Sequence, residues 1–146
     1  MTLSTLNDNI YSIDIPKNWT DTRIIYNEEY NITYHSFKIK DEKVAYIEYF
    51  YGGEYGITAE SFVANVLGMH AYIDGDVVEK DFNGYKRIQV SVLYEQLLGD
   101  SGIFLYPELH YLFVKDNSYV DVCIDPRFTN YVICDKIAES FVFKSN

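Results

Sequence analysis

Three histidines, two cysteines and a short acidic run are the residues of this chain that could carry chemistry. His35, His70 and His110 are far apart in sequence, and none has a second ligand at the spacing of a local metal motif. His-x3-His, His-Glu-x-x-His and Cys-x-x-Cys are all absent, so a zinc site would have to be assembled in space from separate segments. His70 follows an apolar stripe and reads as a half-buried packing residue. Cys123 has Asp121 and Asp125 nearby, and acidic neighbours raise a thiol pKa where positive ones would lower it. Cys123 and Cys134 both read as small hydrophobes. A nucleophile made from Cys123 with His110 or His35 and a carboxylate requires those side chains to converge in a cleft, closer than about 10 Å.

Asp74, Asp76, Glu79 and Asp81 form the densest acidic run. A calcium loop would need oxygen ligands at alternate positions with glycine sixth, but Val78 takes the third ligand position and Glu79 the glycine position. The run reads as a solvated turn that could steer a basic partner. No Gly-x-Gly-x-x-Gly, P-loop or Gly-x-Ser-x-Gly motif occurs, and Gly52-Gly53 with Gly56 lacks the Lys and Ser/Thr of a phosphate loop. No cofactor, metal or catalytic residue is therefore assigned.

The remaining candidate is aromatic. Tyr46, Tyr49, Phe50, Tyr51 and Tyr55 lie close together, and strand alternation sets Tyr46 and Phe50 on one face with Ile47, Tyr49 and Tyr51 on the other. One face must be core; the other would present Tyr side chains with Glu48, a surface suited to an interface, where Tyr is enriched. The alternative is that both faces are covered.

The elements that must position these residues are mostly strands. Fifteen Tyr and nine Phe against one Trp and two Met favour an aromatic, strand-rich core. Tyr11, Ile13 and Ile15 alternate with polar residues up to Pro16, which ends the pairing. Further strands are expected at Arg23 to Tyr26, Asn31 to Ile39 and Val44 to Tyr51. Asn83-Gly84 turns a hairpin between Val77 to Asp81 and Tyr85 to Glu95, and Asp116-Asn117 turns a second between Leu109 to Lys115 and Tyr119 to Ile124. One helix is expected from an N-cap at Thr58, with Ala59, Phe62, Val63, Val66 and Leu67 as its apolar stripe. Asp125-Pro126 starts another over Phe128 to Ala138, before a last short strand at Phe141 to Phe143.

At 146 residues this is one domain, with an ordered core over about 10–144 and a polar start that is neither signal peptide nor anchor. No stretch approaches the roughly 20 apolar residues of a membrane span. A cytoplasmic protein is expected, unless a leader has been removed. With 22 acidic and 12 basic residues the net charge of −10 disfavours nucleic acid and anionic lipid.

The strand into Ile15-Pro16-Lys17-Asn18-Trp19, the Thr58-Ala59-Glu60-Ser61-Phe62 helix, the Asn83-Gly84 hairpin and the closing helix into Glu139-Ser140-Phe141-Val142-Phe143-Lys144 together resemble the PsbP-like superfamily. That group includes the photosystem extrinsic subunit, a small Ran-binding nuclear protein, DcrB-like domains and the Eag chaperones of secreted effectors. The resemblance spans about Ile10 to Lys144. It implies an α+β domain, a three-layer α-β-α sandwich with a central antiparallel sheet of six or seven strands and two main helices. It also implies binding to other proteins without chemistry of its own. The expected function is a non-enzymatic adaptor, secretion-associated chaperone or immunity-type inhibitor acting on a basic or hydrophobic protein surface. A small-ligand binder with an aromatic pocket, and an enzyme using Cys and His, are the alternatives.

Overall fold

The computed structural model describes residues 2–27, 32–51, 61, 64, 71–82 and 84–144. Eleven strands are found among them: β1 (Leu3–Asn7), β2 (Tyr11–Pro16), β3 (Thr20–Asn27), β4 (Ile32–Ile39), β5 (Glu42–Tyr51), β6 (Ala71–Ile73), β7 (Val78–Phe82), β8 (Tyr85–Leu97), β9 (Ile103–Lys115), β10 (Ser118–Ile124) and β11 (Val142–Phe143). Eight form the main antiparallel sheet in the order β3-β4-β5-β10-β9-β8-β6, with β7 also pairing β8. The other three make a small sheet, β1-β2-β11. One α-helix, α1, spans Tyr131–Glu139.

This corrects the expected three-layer α-β-α sandwich with two main helices. The chain is mostly strand, in two sheets, and the main sheet has eight strands where six or seven were expected. The small sheet and α1 together pack on one face of the main sheet, where Tyr11, Ile13 and Ile15 meet Phe37, Ile47, Tyr111, Phe113 and Val122. The small sheet exists because β1 pairs β2 from Ser12 to Pro16, with Leu3 opposite Pro16 and Asn7 opposite Ser12. Its other edge takes β11, with Val142 opposite Ser12. The last strand thus leaves the main sheet, and the polar N-terminal segment is strand from Leu3.

Two further boundaries differ for local reasons. Asp125 caps a 3-10 turn at Pro126–Phe128, and a fresh cap at Asn130, accepting from the Ile133 N–H at 2.9 Å, starts α1. The expected single helix over Phe128 to Ala138 is therefore broken at Thr129. Strand β9 runs unbroken through Pro107, because β10 pairs only with Leu109 onward and leaves that edge of β9 without a partner for a proline to disrupt. The earlier helix, with Thr58 as its cap, lies outside the described residues except for Ser61 and Ala64, which are helical and exposed.

Aromatic packing joins the layers. Phe141, just before β11, stacks on Phe113 of β9 with ring centroids 3.8 Å apart and on Tyr11 of β2 at 5.5 Å. Ser140 seals the same corner: its Oγ accepts from the Asp14 N–H at 2.8 Å and donates to the Ile137 carbonyl. The Ser-Phe-x-Phe ending is a packing motif.

A buried ionic bridge makes the second tie. His35 on β4 is held on both ring nitrogens, Nε2 by Asp8 Oδ2 at 3.0 Å and Nδ1 by Asp21 of β3 at 3.2 Å. Asp8 sits in the turn between β1 and β2, so the bridge spans the two sheets. Arg23 approaches the same Asp8 oxygen at 3.5 Å.

Burial works against the charge on His35, but its bonds to Asp8 and Asp21 outweigh it and raise the pKa. Burial likewise opposes the Asp8 charge, and His35 reverses that, holding its pKa below 3.8. The stabilisation from His35 is complete below its unfolded value of about 6.5 and is lost as pH rises through the raised folded value. That from Asp8 is complete above about 3.8 and is lost as pH falls through its lowered value. Replacing His35 by Gln is expected to cost about 3 kcal/mol between roughly pH 4 and pH 6.5, with the gap from wild type narrowing toward alkaline pH. Urea unfolding at several pH values checks this; a gap that stays constant with pH would contradict it.

Candidate functional site

Counting outward from the Asp116-Asn117 turn, β10 and β9 pair Cys123 with His110 and Asp121 with Leu112. Because side chains alternate, Glu108 and His110 of β9 share a face with Asp121 and Cys123 of β10. Their neighbours Leu109, Val122 and Ile124 point the other way, into the core against the small sheet. Tyr46 of β5, paired with Cys123, and Tyr94 of β8 complete the cluster.

The contacts are close. Cys123 Sγ lies 3.0 Å from Glu108 Oε2 and 3.7 Å from His110 Nε2. Glu108 Oε2 is 3.3 Å from His110 Nε2. On its far side His110 offers Nδ1 to both carboxylate oxygens of Asp121 at 3.1 Å. The Tyr94 hydroxyl is 3.5 Å from His110 Nε2, and the Tyr46 hydroxyl donates to Asp121 Oδ2 at 3.5 Å. The distant residues required for a thiol–imidazole–carboxylate arrangement thus converge around His110, while His35 is engaged in its own bridge.

Cys123, His110 and Asp121 stand in the order of a nucleophile, a base and an orienting acid. The electrostatics oppose that use. Burial pushes the Cys123 thiol up to about 12, with Glu108 and Asp121 adding to the effect of burial and His110 opposing it. Burial disfavours the His110 cation, but the charge of Cys123 in its ionised form, with the charge and hydrogen bond of Asp121, outweighs it and raises this pKa well above its ordinary value. In this arrangement the Cys123 thiol lies against Glu108, and the His110 ring sits between Glu108 and Asp121. Cys134 lies in α1, within the core on the opposite face of the sheet, and both cysteines are free.

A cavity of about 260 Å³ reaches this cluster. Glu108 and Cys123 line it together with Tyr46, Tyr106, Phe104 and Gln96. Lys43 and Arg127 supply positive charge: Lys43 Nζ lies 5.0 Å from the Tyr46 ring centre, and Arg127 lies over Phe104 while donating to Asp125 at 2.6 Å.

The residues singled out from sequence are distributed otherwise. Tyr46, Glu48 and Phe50 share one face of β5 and are half-buried, and Tyr49 is buried on the other. Tyr46 stacks on Tyr34 at 5.5 Å, and Phe50 on Tyr119 at 5.3 Å. Tyr51 ends β5 opposite Ser118, and Tyr55 lies outside the described residues. Asp74, Asp76, Glu79 and Asp81 are all exposed, and Glu79 meets Lys86 at 3.8 Å.

Cluster members Glu108, His110, Asp121 and Cys123 were not singled out together. Their signal was a pair of i, i+2 polar residues on each arm of one hairpin, with His110 and Cys123 directly opposite each other across it.

The surface has a second feature that was passed over. β8 and β9 continue beyond their neighbours into a hairpin whose end carries Leu97, Leu98, Ile103, Phe104 and Leu105, each between 42% and 76% exposed. Leu97 faces Ile103 directly, and Leu105 follows on the same face.

Cys123 should be a slow thiol. An aromatic disulfide reagent near pH 8 is expected to give no fast phase with the folded protein and two equivalents of reaction once it is unfolded. Rapid modification of Cys123 in the folded state would instead identify an activated nucleophile.

No protein-family model and no curated protein is similar to this sequence. Among solved structures the chain is similar to the solution structure of cyanobacterial PsbP (CyanoP) from Synechocystis sp. PCC 6803, with a TM-score of 0.62 at 14% identity. The match covers 97% of this chain and 92% of that one. At that identity the likeness concerns architecture, and on it the chain adopts a PsbP-like fold.

Proposed function

We propose that this chain is a protein-binding domain that docks a hydrophobic partner surface with the tip of the β8–β9 hairpin. The observation that carries this reading is the exposure of Leu97, Leu98, Ile103, Phe104 and Leu105 within nine residues of chain. Soluble domains seldom leave contiguous large apolar side chains in water unless something covers them in use. Burying one such side chain contributes roughly 1.5–3 kcal/mol, so two or three at the centre of a contact suffice for a useful affinity. The exposed acids Asp74, Asp76, Glu79 and Asp81 suit electrostatic steering of a partner with basic flanks. An adaptor, a secretion-associated chaperone or an immunity-type inhibitor would each work this way.

A small-ligand reading is favoured by one observation, the cavity lined by Tyr46, Phe104 and Tyr106. Its volume of about 260 Å³ falls just below the roughly 300–1,000 Å³ of sites for drug-sized molecules, which leaves it second.

The test replaces Leu97 and Ile103 together by Ser, leaving Phe104 in place because it also lines the cavity. Exposed positions of this kind shift stability by only about 0.5 kcal/mol each. Tagged wild-type protein, recovered at moderate salt from the cells that make it, is expected to bring down one stoichiometric partner that the double variant loses. A partner retained equally by the variant, or none with the wild type, would contradict the reading.

A further inference from the structure

The triangle formed by Cys123 Sγ, His110 Nε2 and Glu108 Oε2 has the dimensions of one face of a tetrahedral zinc site. Zinc bonds of about 2.3 Å to sulfur, 2.05 Å to imidazole nitrogen and 2.0 Å to a carboxylate oxygen fix the distances between ligand atoms. For tetrahedral angles they come to about 3.6 Å for S···N, 3.3 Å for N···O and 3.5 Å for S···O. The corresponding separations here are 3.7, 3.3 and 3.0 Å. Two agree closely, and the third needs an opening of about half an ångström, within the reach of a glutamate side chain. From these distances we infer that Glu108, His110 and Cys123 form a binding site for one zinc-like divalent cation.

Three further features fit a metal centre. Asp121 holds the other ring nitrogen of His110 at 3.1 Å, the carboxylate–histidine arrangement that orients a metal-binding imidazole and fixes Nε2 as its ligand atom. The ligands project from two adjacent strands in the middle of the main sheet, where backbone pairing fixes their spacing. The cavity lined by Glu108 and Cys123 gives a fourth coordination position access to a water or small ligand, as in zinc sites with three protein ligands. The thiolate, imidazole and carboxylate set suits a borderline-soft ion over calcium or magnesium, which take oxygen ligands only.

Binding a dication requires the ligand atoms to give up any protons they carry. Without metal the same groups satisfy one another, the thiol and the Nε2 proton both lying against Glu108 Oε2. The two states therefore use the same side chains with little movement. This site is separate from the hairpin tip and does not rest on the docking proposal.

Cobalt is the probe, because it reports its ligands in its absorption spectrum. Chelator-treated and desalted protein is titrated with Co2+ and then with Zn2+. One equivalent of Co2+ is expected to produce the intense visible bands of a tetrahedral centre and a thiolate-to-cobalt band in the near ultraviolet, both erased by one equivalent of Zn2+. Cys123→Ser should abolish the thiolate band, and Cys134→Ser should leave it intact. Asp121→Asn, which keeps the ligands and loosens their orientation, should weaken binding by about 10–100-fold. If Cys123→Ser does not fold, Glu108→Gln decides, since its side chain is partly exposed and is expected to bind Co2+ at least about tenfold more weakly. Absence of a thiolate band in the wild type, its persistence in Cys123→Ser, its loss in Cys134→Ser, or unchanged affinity in Glu108→Gln would each overturn the assignment.

Discussion

Around the two-residue turn at Asp116-Asn117, Lys115 pairs with Ser118, and the register of the β9–β10 hairpin follows from that pair. Asp116 makes the turn in the left-handed region, with φ of 53°, a conformation that Asp tolerates better than most residues. Since successive side chains alternate, a slip of one residue would exchange the faces of one strand relative to the other. Either Tyr111 and Phe113 or Val120 and Val122 would then leave the core, and His110 or Asp121 and Cys123 would take their place. The apolar residues thus enforce the register, and the register assembles the polar cluster on the reverse face. Packing and site are consequences of one constraint.

The main sheet separates two kinds of interior. On the side of the small sheet and α1 the contacts are apolar, with aromatic rings stacked from Tyr11 through Phe141 to Phe113. Ionisable groups enter that side at the His35 bridge, where a carboxylate is supplied on each side of the ring. On the other face His110 meets the same solution, with Asp121 on one nitrogen and Glu108 beside the other. A buried imidazole is costly unless both nitrogens find partners, and two carboxylates settle it in the charged form. The groups differ in surroundings: His35 ties layers together, whereas the His110 cluster is reached by a cavity with Lys43 and Arg127 at its walls. The same cavity runs to Gln96 and Phe104, at the base of the apolar hairpin end.

Much of the sheet was legible in the sequence because turns and alternation are local signals. Asn83-Gly84 and Asp116-Asn117 marked their hairpins, and Pro16 and Asp125-Pro126 marked their breaks. What escaped depends on partners distant in sequence. Leu3-Ser4-Thr5-Leu6-Asn7 has no strand period of its own and is a strand because β2 offers it an edge. Phe141-Val142-Phe143 reads as a strand but not as one belonging to a second sheet. Asp8 is 27 residues from His35, and nothing local links them. The cluster is different: His110 and Cys123 stand at matching distances from a recognisable turn, and strand alternation puts Glu108 and Asp121 on the same face beside them. Cys123, His110 and a carboxylate were candidates from composition, but which carboxylates join them follows from pairing across strands and not from linear spacing.

The account stands most directly on the state of His110. Long-range proton–nitrogen correlation spectra of chelator-treated, metal-free, histidine-labelled protein, recorded from about pH 5 to about pH 9, report which ring nitrogens carry protons. With His110 bracketed as described, both its nitrogens should remain protonated near pH 7 and lose a proton only well above the ordinary histidine range. A His110 that is neutral at pH 7, with a single tautomer and an ordinary titration, would contradict the carboxylate bracket and with it the arrangement of this face of the sheet.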